Sequence, residues 1–89
     1  MINNSDKTSI KRIIGYRYAL VVQKELVNSK EYNRGGTPYT TGHITNVMNG
    51  ENHDIIETAI FRVVENRLEI QKKRARLLHK KNLDGTEGS

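Results

Sequence analysis

A helical spacing of apolar residues in the last third of the chain limits the possible folds more than any other feature. Isoleucine, valine and leucine recur there at intervals of three and four residues, from Ile56 to Leu78. Side chains at this spacing share one side of an α-helix, whereas a half-buried strand needs alternation at every second residue. Asp54 is a good N-cap and Glu57 stands three residues on, as in a capping box. A long helix is therefore predicted over 54–80.

A second helical pattern lies near the N-terminus. Apolar residues recur at helical spacing between Ile10 and Leu26, with an interruption at Gly15. Glycine costs only about 1 kcal/mol inside a helix, so the pattern fits one kinked helix or two separate helices. Ser5 and Thr8 are both candidate N-caps. Because no strand pattern is found, the sequence predicts an all-α fold.

The stretch YTTGHITNVMNG, residues 39–50, predicts a short helix over 41–48. A loop rich in Asn, Ser and Gly precedes it, and Pro38 biases its neighbour away from helix. Thr40 or Thr41 can cap the helix start, and Gly50 can adopt the left-handed conformation that ends it. The apolar residues of this helix fall on one face, which we expect to pack on the other helices.

The opposite face of this short helix has the chemistry of a DNA-reading surface. It consists of compact hydrogen-bonding groups rather than long charged side chains: Thr41, Gly42, His43, Thr45, Asn46 and Asn49. An asparagine can form two hydrogen bonds with adenine, and a threonine methyl can meet the methyl of thymine. Such residues also cover the exposed faces of ordinary helices, and His43 alone is as consistent with surface decoration as with a contact to DNA.

The segment resembles the recognition helix of phage-repressor-type helix-turn-helix proteins. The resemblance rests on Tyr39-Thr40-x-x-x-Ile44-x-x-Val47-x-Asn49-Gly50 followed by Ile56, Ala59 and Ile60, and it covers about residues 39–64. It implies a small helix-turn-helix-like bundle with a long C-terminal helix. The positions that it implies for base contacts are Thr41, His43, Thr45 and Asn46, and those for phosphate contacts are Tyr39, Asn49 and Asn52. Glu51 departs from the pattern, since the family often has a basic residue there, and the loop before the helix is longer.

Basic residues are concentrated in the C-terminal segment. Between Arg67 and Lys81 there are seven basic residues against Glu69 alone, whereas the rest of the chain has 8 basic and 9 acidic residues. Such a block favours a polyanion, although lysine and arginine also suit the negative end of any helix. Further phosphate contacts are predicted at the basic residues of this block and of the long loop: Lys30, Arg34, Lys72, Lys73 and Arg76.

Other classes of protein find little support in the sequence. Three isolated histidines without cysteine make a poor metal site, and no nucleophile or phosphate-binding loop suggests an enzyme, so no metal, cofactor or small-molecule ligand is expected. No apolar run reaches the roughly 18 residues that span a membrane, and no signal peptide is evident. The lack of cysteine fits a reducing cytoplasm.

The hypothesis from the sequence is a sequence-specific regulator of transcription that binds duplex DNA, with a phage or mobile element as the candidate source. We expect one domain over 1–82 and a flexible tail over 83–89. A homodimer is expected because the 4-3-4 spacing from Ile56 to Leu77 resembles a coiled-coil seam, interrupted by Arg67 and Arg74. The alternatives are a helical protein-interaction module that uses the basic helix, such as a phage inhibitor or assembly factor, and an RNA-binding protein.

Overall fold

Four helices make up the described chain, as the all-α prediction requires. The structure is a computed structural model that describes residues 1–78 in full and only the helical backbone of residues 79–87. The helices are α1 (Asn4–Ile14), α2 (Tyr18–Asn28), α3 (Thr41–Met48) and α4 (Asp54–Glu87), and residues 1–87 contain no strand. The short helix has the bounds predicted from the sequence. The flexible tail predicted for 83–89 lies outside the fully described residues and stays a prediction.

The N-terminal region forms two helices rather than one kinked helix. Gly15 ends α1 with a φ of 99°, in the left-handed region that glycine adopts at little cost. The turn lets Ile14 and Tyr18 both pack in the core. The cap of α1 is Asn3, whose side-chain oxygen accepts a hydrogen bond from the amide of Asp6 at 2.8 Å. The prediction of a Ser5 or Thr8 cap is therefore wrong.

The start of α4 is capped by His53 and not, as predicted, by Asp54, which is the first residue of the helix. The imidazole Nδ1 of His53 accepts a hydrogen bond from the amide of Ile56 at 3.2 Å. The amide of His53 in turn donates to the Glu57 carboxylate at 2.9 Å. Glu57 therefore makes the reciprocal bond of a capping box, but to a cap four residues earlier and not to the predicted Asp54, three residues earlier.

A single core joins the four helices. Its most deeply buried side chains come from α2, α3 and α4: Val22, Leu26, Ile44, Val47, Met48, Ile56, Ala59 and Ile60. Burial of an aliphatic side chain of this size contributes about 1.5–3 kcal/mol, so this cluster is the main source of stability. The core ends at Val63, and every side chain from Glu65 to Leu78 is exposed. The C-terminal half of α4 thus extends beyond the bundle.

Candidate nucleic-acid interface

Helix α3 is fixed to the bundle by one face and presents the other to solvent. Ile44 and Val47 have no exposed surface, and Met48 is 1% exposed. The hydroxyl of Thr40 accepts a hydrogen bond from the amide of His43 at 3.0 Å, so one of the two predicted caps is confirmed. At the other end Gly50 has a φ of 114°, which confirms its predicted left-handed conformation. The orientation of α3 is therefore set by its core face and by both of its ends.

Three residues form the outermost line of α3, which we name the α3 ridge: Gly42, Asn46 and Asn49. All three are exposed and lie opposite the buried Ile44 and Val47. Their spacing of four and three residues places them on one side of the helix. The ridge carries no charge and, at Gly42, no side chain. A second molecule can therefore approach the helix backbone closely here.

Thr41 and Thr45 lie on one flank of this ridge and are half-buried. The Thr45 hydroxyl donates to the Thr41 carbonyl oxygen at 2.9 Å. This bond uses the Thr45 proton but leaves its oxygen lone pairs and its methyl group for another partner. Of the four residues predicted to contact bases, Asn46 is thus the most accessible, and the two threonines offer smaller contact areas.

His43 lies on the other flank, within a cluster of three aromatic rings. Its ring centroid is 5.7 Å from that of Tyr39 and 4.9 Å from that of His53, and Tyr39 and His53 are 5.1 Å apart. All three contacts are edge-to-face, the arrangement that aromatic quadrupoles favour. The His43 Nε2 atom is also 3.1 Å from the Glu51 carboxylate. His43 is therefore engaged within the chain.

Tyr39 is buried, with only 5% of its surface exposed. Its backbone carbonyl accepts a hydrogen bond from the Gln23 side chain at 2.9 Å, which ties the end of the loop to α2. Its main role in this structure is to position α3. Little of its surface is left for the phosphate contact that was predicted there.

The loop before α3 is closed by Asn33. The Asn33 side-chain oxygen accepts hydrogen bonds from the amides of Gly35 at 2.9 Å and Thr37 at 3.2 Å. This turn presents Arg34 at the surface, on the rim of an open concavity of about 710 Å³ that also includes Tyr39, His43 and His53. The loop between α2 and α3 thus brings a cation beside α3.

The remaining predicted phosphate contacts near α3 are exposed but occupy different surroundings. Lys30 follows α2 with a φ of 57°, in a left-handed conformation that a lysine rarely adopts. Asn52 is exposed in the connector between α3 and α4. Asn49 differs from both because its side-chain oxygen accepts a hydrogen bond from the ammonium group of Lys7 in α1.

Lys7 is a candidate that sequence reasoning missed. It is 42 residues away from Asn49 along the chain, and its ammonium group lies at the C-terminal end of the α3 ridge. It supplies a positive charge next to a segment where Glu51 replaces the basic residue of the resembled family. No local pattern could have indicated this contact, since it depends on how α1 packs in the bundle.

The basic residues of α4 form a separate region. Lys72, Lys73 and Arg76 are exposed, and Lys72 lies about 24 Å along the helix from the buried Ile56, at 1.5 Å per residue. The structure therefore does not bring these cations together with the α3 ridge in one chain. His79, Lys80 and Lys81, which extend the basic block in the sequence, lie outside the fully described residues.

Arg62 is committed to the fold and is not available to an anion. Its guanidinium contacts the Glu25 carboxylate at 2.9 Å and the Glu31 carboxylate at 3.3 Å. The hydrogen bond from Arg62 is the largest influence on Glu25 and lowers the pKa of that carboxyl below its ordinary value. The Glu25 bond raises the pKa of Arg62 in turn. This group ties α4 to the C-terminal end of α2 and to the loop.

The described residues show neither a metal site nor a membrane span. No set of three or more His, Asp or Glu side chains within them is arranged to hold a metal ion, although His43, His53 and Glu51 lie close together. Across the same residues, no helix combines the length and the apolar character that crossing a membrane requires.

Comparisons with protein-family models, with curated proteins and with solved structures give no match to this chain.

Proposed function

We propose that this protein binds duplex DNA in a sequence-specific manner, with α3 as the recognition helix, and acts in the cytoplasm as a regulator of transcription. The single observation that carries the proposal is the α3 ridge. Gly42, Asn46 and Asn49 are exposed on a helix whose other face is completely buried. A rigidly held helix with short polar side chains on its outer line has the shape and chemistry that a major groove accepts.

The residues of this site have different roles in the proposal. Asn46 lies at the centre of the ridge and reads a base edge, since its amide offers a donor and an acceptor. Thr41 and Thr45 add hydroxyl and methyl contacts along one flank. Lys7, at the Asn49 end of the ridge, and Arg34, on the rim of the concavity beside His43, bind phosphates, and the cations of α4 attract DNA without regard to sequence. His43 is part of the ring cluster and lies at the edge of the proposed interface, where it makes a peripheral contact with the DNA.

The test is a selection of binding sites from random duplexes, followed by titration of the selected site and of mixed-sequence DNA at several salt concentrations. Asn46→Ala is expected to lower the preference for the selected site by about 1–3 kcal/mol, the contribution of one asparagine–base contact. The unfolding free energy should change little, since Asn46 is exposed. Absence of duplex binding by the wild-type protein at low salt would defeat the proposal.

Asn66→Ala is the matched control for this variant. Asn66 is also an exposed helical asparagine, but it lies on α4, beside α2 rather than on the α3 ridge. We expect this change to leave the preference for the selected site intact. Equal losses from the two substitutions would mean that α3 has no special role in recognition.

A protein-interaction module is the second candidate, and the exposed C-terminal half of α4 favours it. That half combines exposed apolar residues with four basic residues between 70 and 78, which suits an acidic protein partner. This function predicts that reversing the α4 charges abolishes partner binding while Asn46→Ala has no effect. Preference for structured RNA over duplex DNA in the titration would instead indicate an RNA-binding protein.

A further inference from the structure

From Phe61 to Leu78, helix α4 carries an apolar stripe of which, among the residues described in full, only Val64 packs against the core. We name it the outer stripe: Phe61, Val64, Leu68, Gln71, Ala75 and Leu78. Its members are spaced alternately by three and four residues, which is the heptad spacing of a coiled coil. Phe61 is 46% exposed, Leu68 41% and Leu78 60%. Because an isolated helix is marginally stable in water, a second helix on this stripe would stabilise the segment.

The seam suggested by the sequence alone cannot serve as this interface over its whole length. Ile56, Ile60 and Val63 begin that seam, and all three are buried in the core of the monomer. Its continuation is interrupted by Arg67 and Arg74. The outer stripe lies on a different side of α4 and stays accessible beside the bundle.

We propose that the outer stripe binds the same stripe of a second copy of this chain, in an antiparallel coiled coil. Antiparallel packing places Phe61 opposite Leu78 of the second copy, Val64 opposite Ala75 and Leu68 opposite Gln71. Each layer then joins a larger side chain to a smaller or more flexible one. The two glutamines fall near the centre of the seam, where a polar residue specifies the register.

The distribution of charge along α4 argues for the antiparallel orientation. The segment 70–78 contains four basic residues and no acidic one, so parallel helices would align two strongly positive segments. In a parallel seam the flanking pair is Arg67 with Lys72 of the second copy, which repel. Antiparallel packing instead places Glu65 beside Lys72 of the second copy, twice in the dimer. On the other edge Arg67 then faces Arg74 of the second copy, which repel. The flanking pairs of the antiparallel dimer thus combine attraction with repulsion, whereas the flanking pair of the parallel dimer is only repulsive.

Sedimentation equilibrium over a series of protein concentrations tests the dimer. The wild-type chain should be dimeric, and Leu68→Glu should raise the dimer dissociation constant at least about a hundredfold, because it places a charge in the seam. Ile70→Glu is the matched control, since Ile70 is exposed to a similar extent, 47%, but points away from the outer stripe. The control should remain dimeric. A monomeric wild-type chain, or a greater loss from Ile70→Glu, overturns the proposal.

A charge exchange tests the orientation. Glu65→Lys and Lys72→Glu alone should each weaken the antiparallel dimer about fivefold, and the double variant should recover the wild-type constant. In a parallel dimer Lys72→Glu would strengthen association instead, since the new carboxylate would meet Arg67. That strengthening, or a double variant no better than the single ones, overturns the antiparallel assignment. These measurements contain no nucleic acid, so their outcome is independent of the proposed DNA binding.

The antiparallel dimer also gives a spacing, which rests on the proposed function. At 1.5 Å per residue, the midpoints of the buried segments of the two α4 helices, residues 56–63 of each copy, are separated by about 30 Å along the seam. One turn of DNA is slightly longer, about 34–36 Å, and is the usual separation of two half-sites read by a symmetric dimer. The sites selected from random duplexes should therefore be palindromic, with centres about one turn apart.

Discussion

At the scale of single residues, Gly42 is the position at which the proposed DNA-binding face and an ordinary exposed helix predict different effects of a substitution. A methyl group added at Gly42 would meet only the Thr40 hydroxyl, at 3.8 Å, which is an ordinary contact. The fold therefore does not require glycine there. If duplex DNA lies against this helix, the DNA occupies the space that a side chain at position 42 would fill.

Gly42→Ala is accordingly expected to separate stability from binding. The unfolding free energy should rise by up to about 1 kcal/mol, because alanine is the better helix former. The affinity for the selected duplex should fall several-fold, because the methyl group holds the backbone of α3 away from the DNA. Urea unfolding and a DNA titration measure the two effects. Unchanged affinity would show that nothing approaches the helix at this point.

Gly15→Ala is the contrasting substitution. No atom lies within 4 Å of an added methyl group at Gly15, yet the φ of 99° disfavours any residue other than glycine. We expect this change to lower stability and to leave the affinity of the folded protein unchanged. The pair of variants thus separates the effect of backbone conformation from that of available space.

At the scale of helices, the elements with strong local signals were predictable from the sequence. The bounds of α3 follow from Pro38, a threonine cap and the pair Asn49-Gly50, all within the segment itself. The division between α1 and α2 was left open because a helix tolerates glycine, and the packing of both Ile14 and Tyr18 decides it. His53 and Asp54 are both able to cap a helix, so the one-residue error at α4 could not be avoided.

The candidate site was predictable only in part, because some of its contacts follow from local sequence and others depend on tertiary packing. Asn46 follows from helical periodicity, which places it opposite the core face. The contact between Lys7 and Asn49 and the ion pairs of Arg62 join residues that are distant in sequence. Such contacts depend on the packing of whole helices, and no local pattern encodes them. The engagement of His43 by Glu51 and two aromatic rings involves nearer residues, but it depends on how the connector folds back beside α3.

The Arg62 group predicts a pH dependence of stability that belongs to the packing of α2 on α4. Because the folded protein lowers the pKa of Glu25, its carboxylate stabilises the fold above the ordinary value of 4.5. That contribution is lost as the pH falls through the lowered folded pKa. Glu25→Gln should therefore reduce the unfolding free energy at neutral pH and make little difference in strong acid, as measured by urea unfolding across this range.

The control for this prediction is the same substitution in an Arg62→Gln background. Arg62 gives the largest contribution to the lowered pKa of Glu25, so its removal should abolish most of the pH-dependent difference. A difference that persists in this background would mean that another group, such as the Ser29 hydroxyl, holds the Glu25 carboxylate.

At the scale of the whole molecule, the proposed DNA binding divides specific and nonspecific contacts between different parts of the chain. The α3 ridge is uncharged, whereas the exposed cations of α4 lie beyond the bundle. Lys72 flanks the outer stripe and pairs with Glu65 in the proposed dimer. Lys73 and Arg76 point away from that stripe and remain free to contact phosphates. Salt should therefore affect the two kinds of contact differently.

The salt dependence of DNA binding provides the corresponding test. Replacing Lys73 and Arg76 by glutamine should reduce the slope of log affinity against log salt by about one for each phosphate that the protein no longer neutralises. Asn46→Ala, which removes no charge, should lower affinity for the selected site without changing the slope. If the glutamine variant keeps the wild-type slope, α4 does not contact the DNA backbone.

The proposed contact between the α3 ridge and duplex DNA is tested by titrating the isotopically labelled protein with the selected duplex and following the amide chemical shifts. If the ridge contacts the duplex, the largest shifts occur at Gly42, Asn46 and Asn49, with smaller changes at Arg34 and along residues 72–76. Shifts confined to α4, with α3 unchanged at saturation, would contradict it.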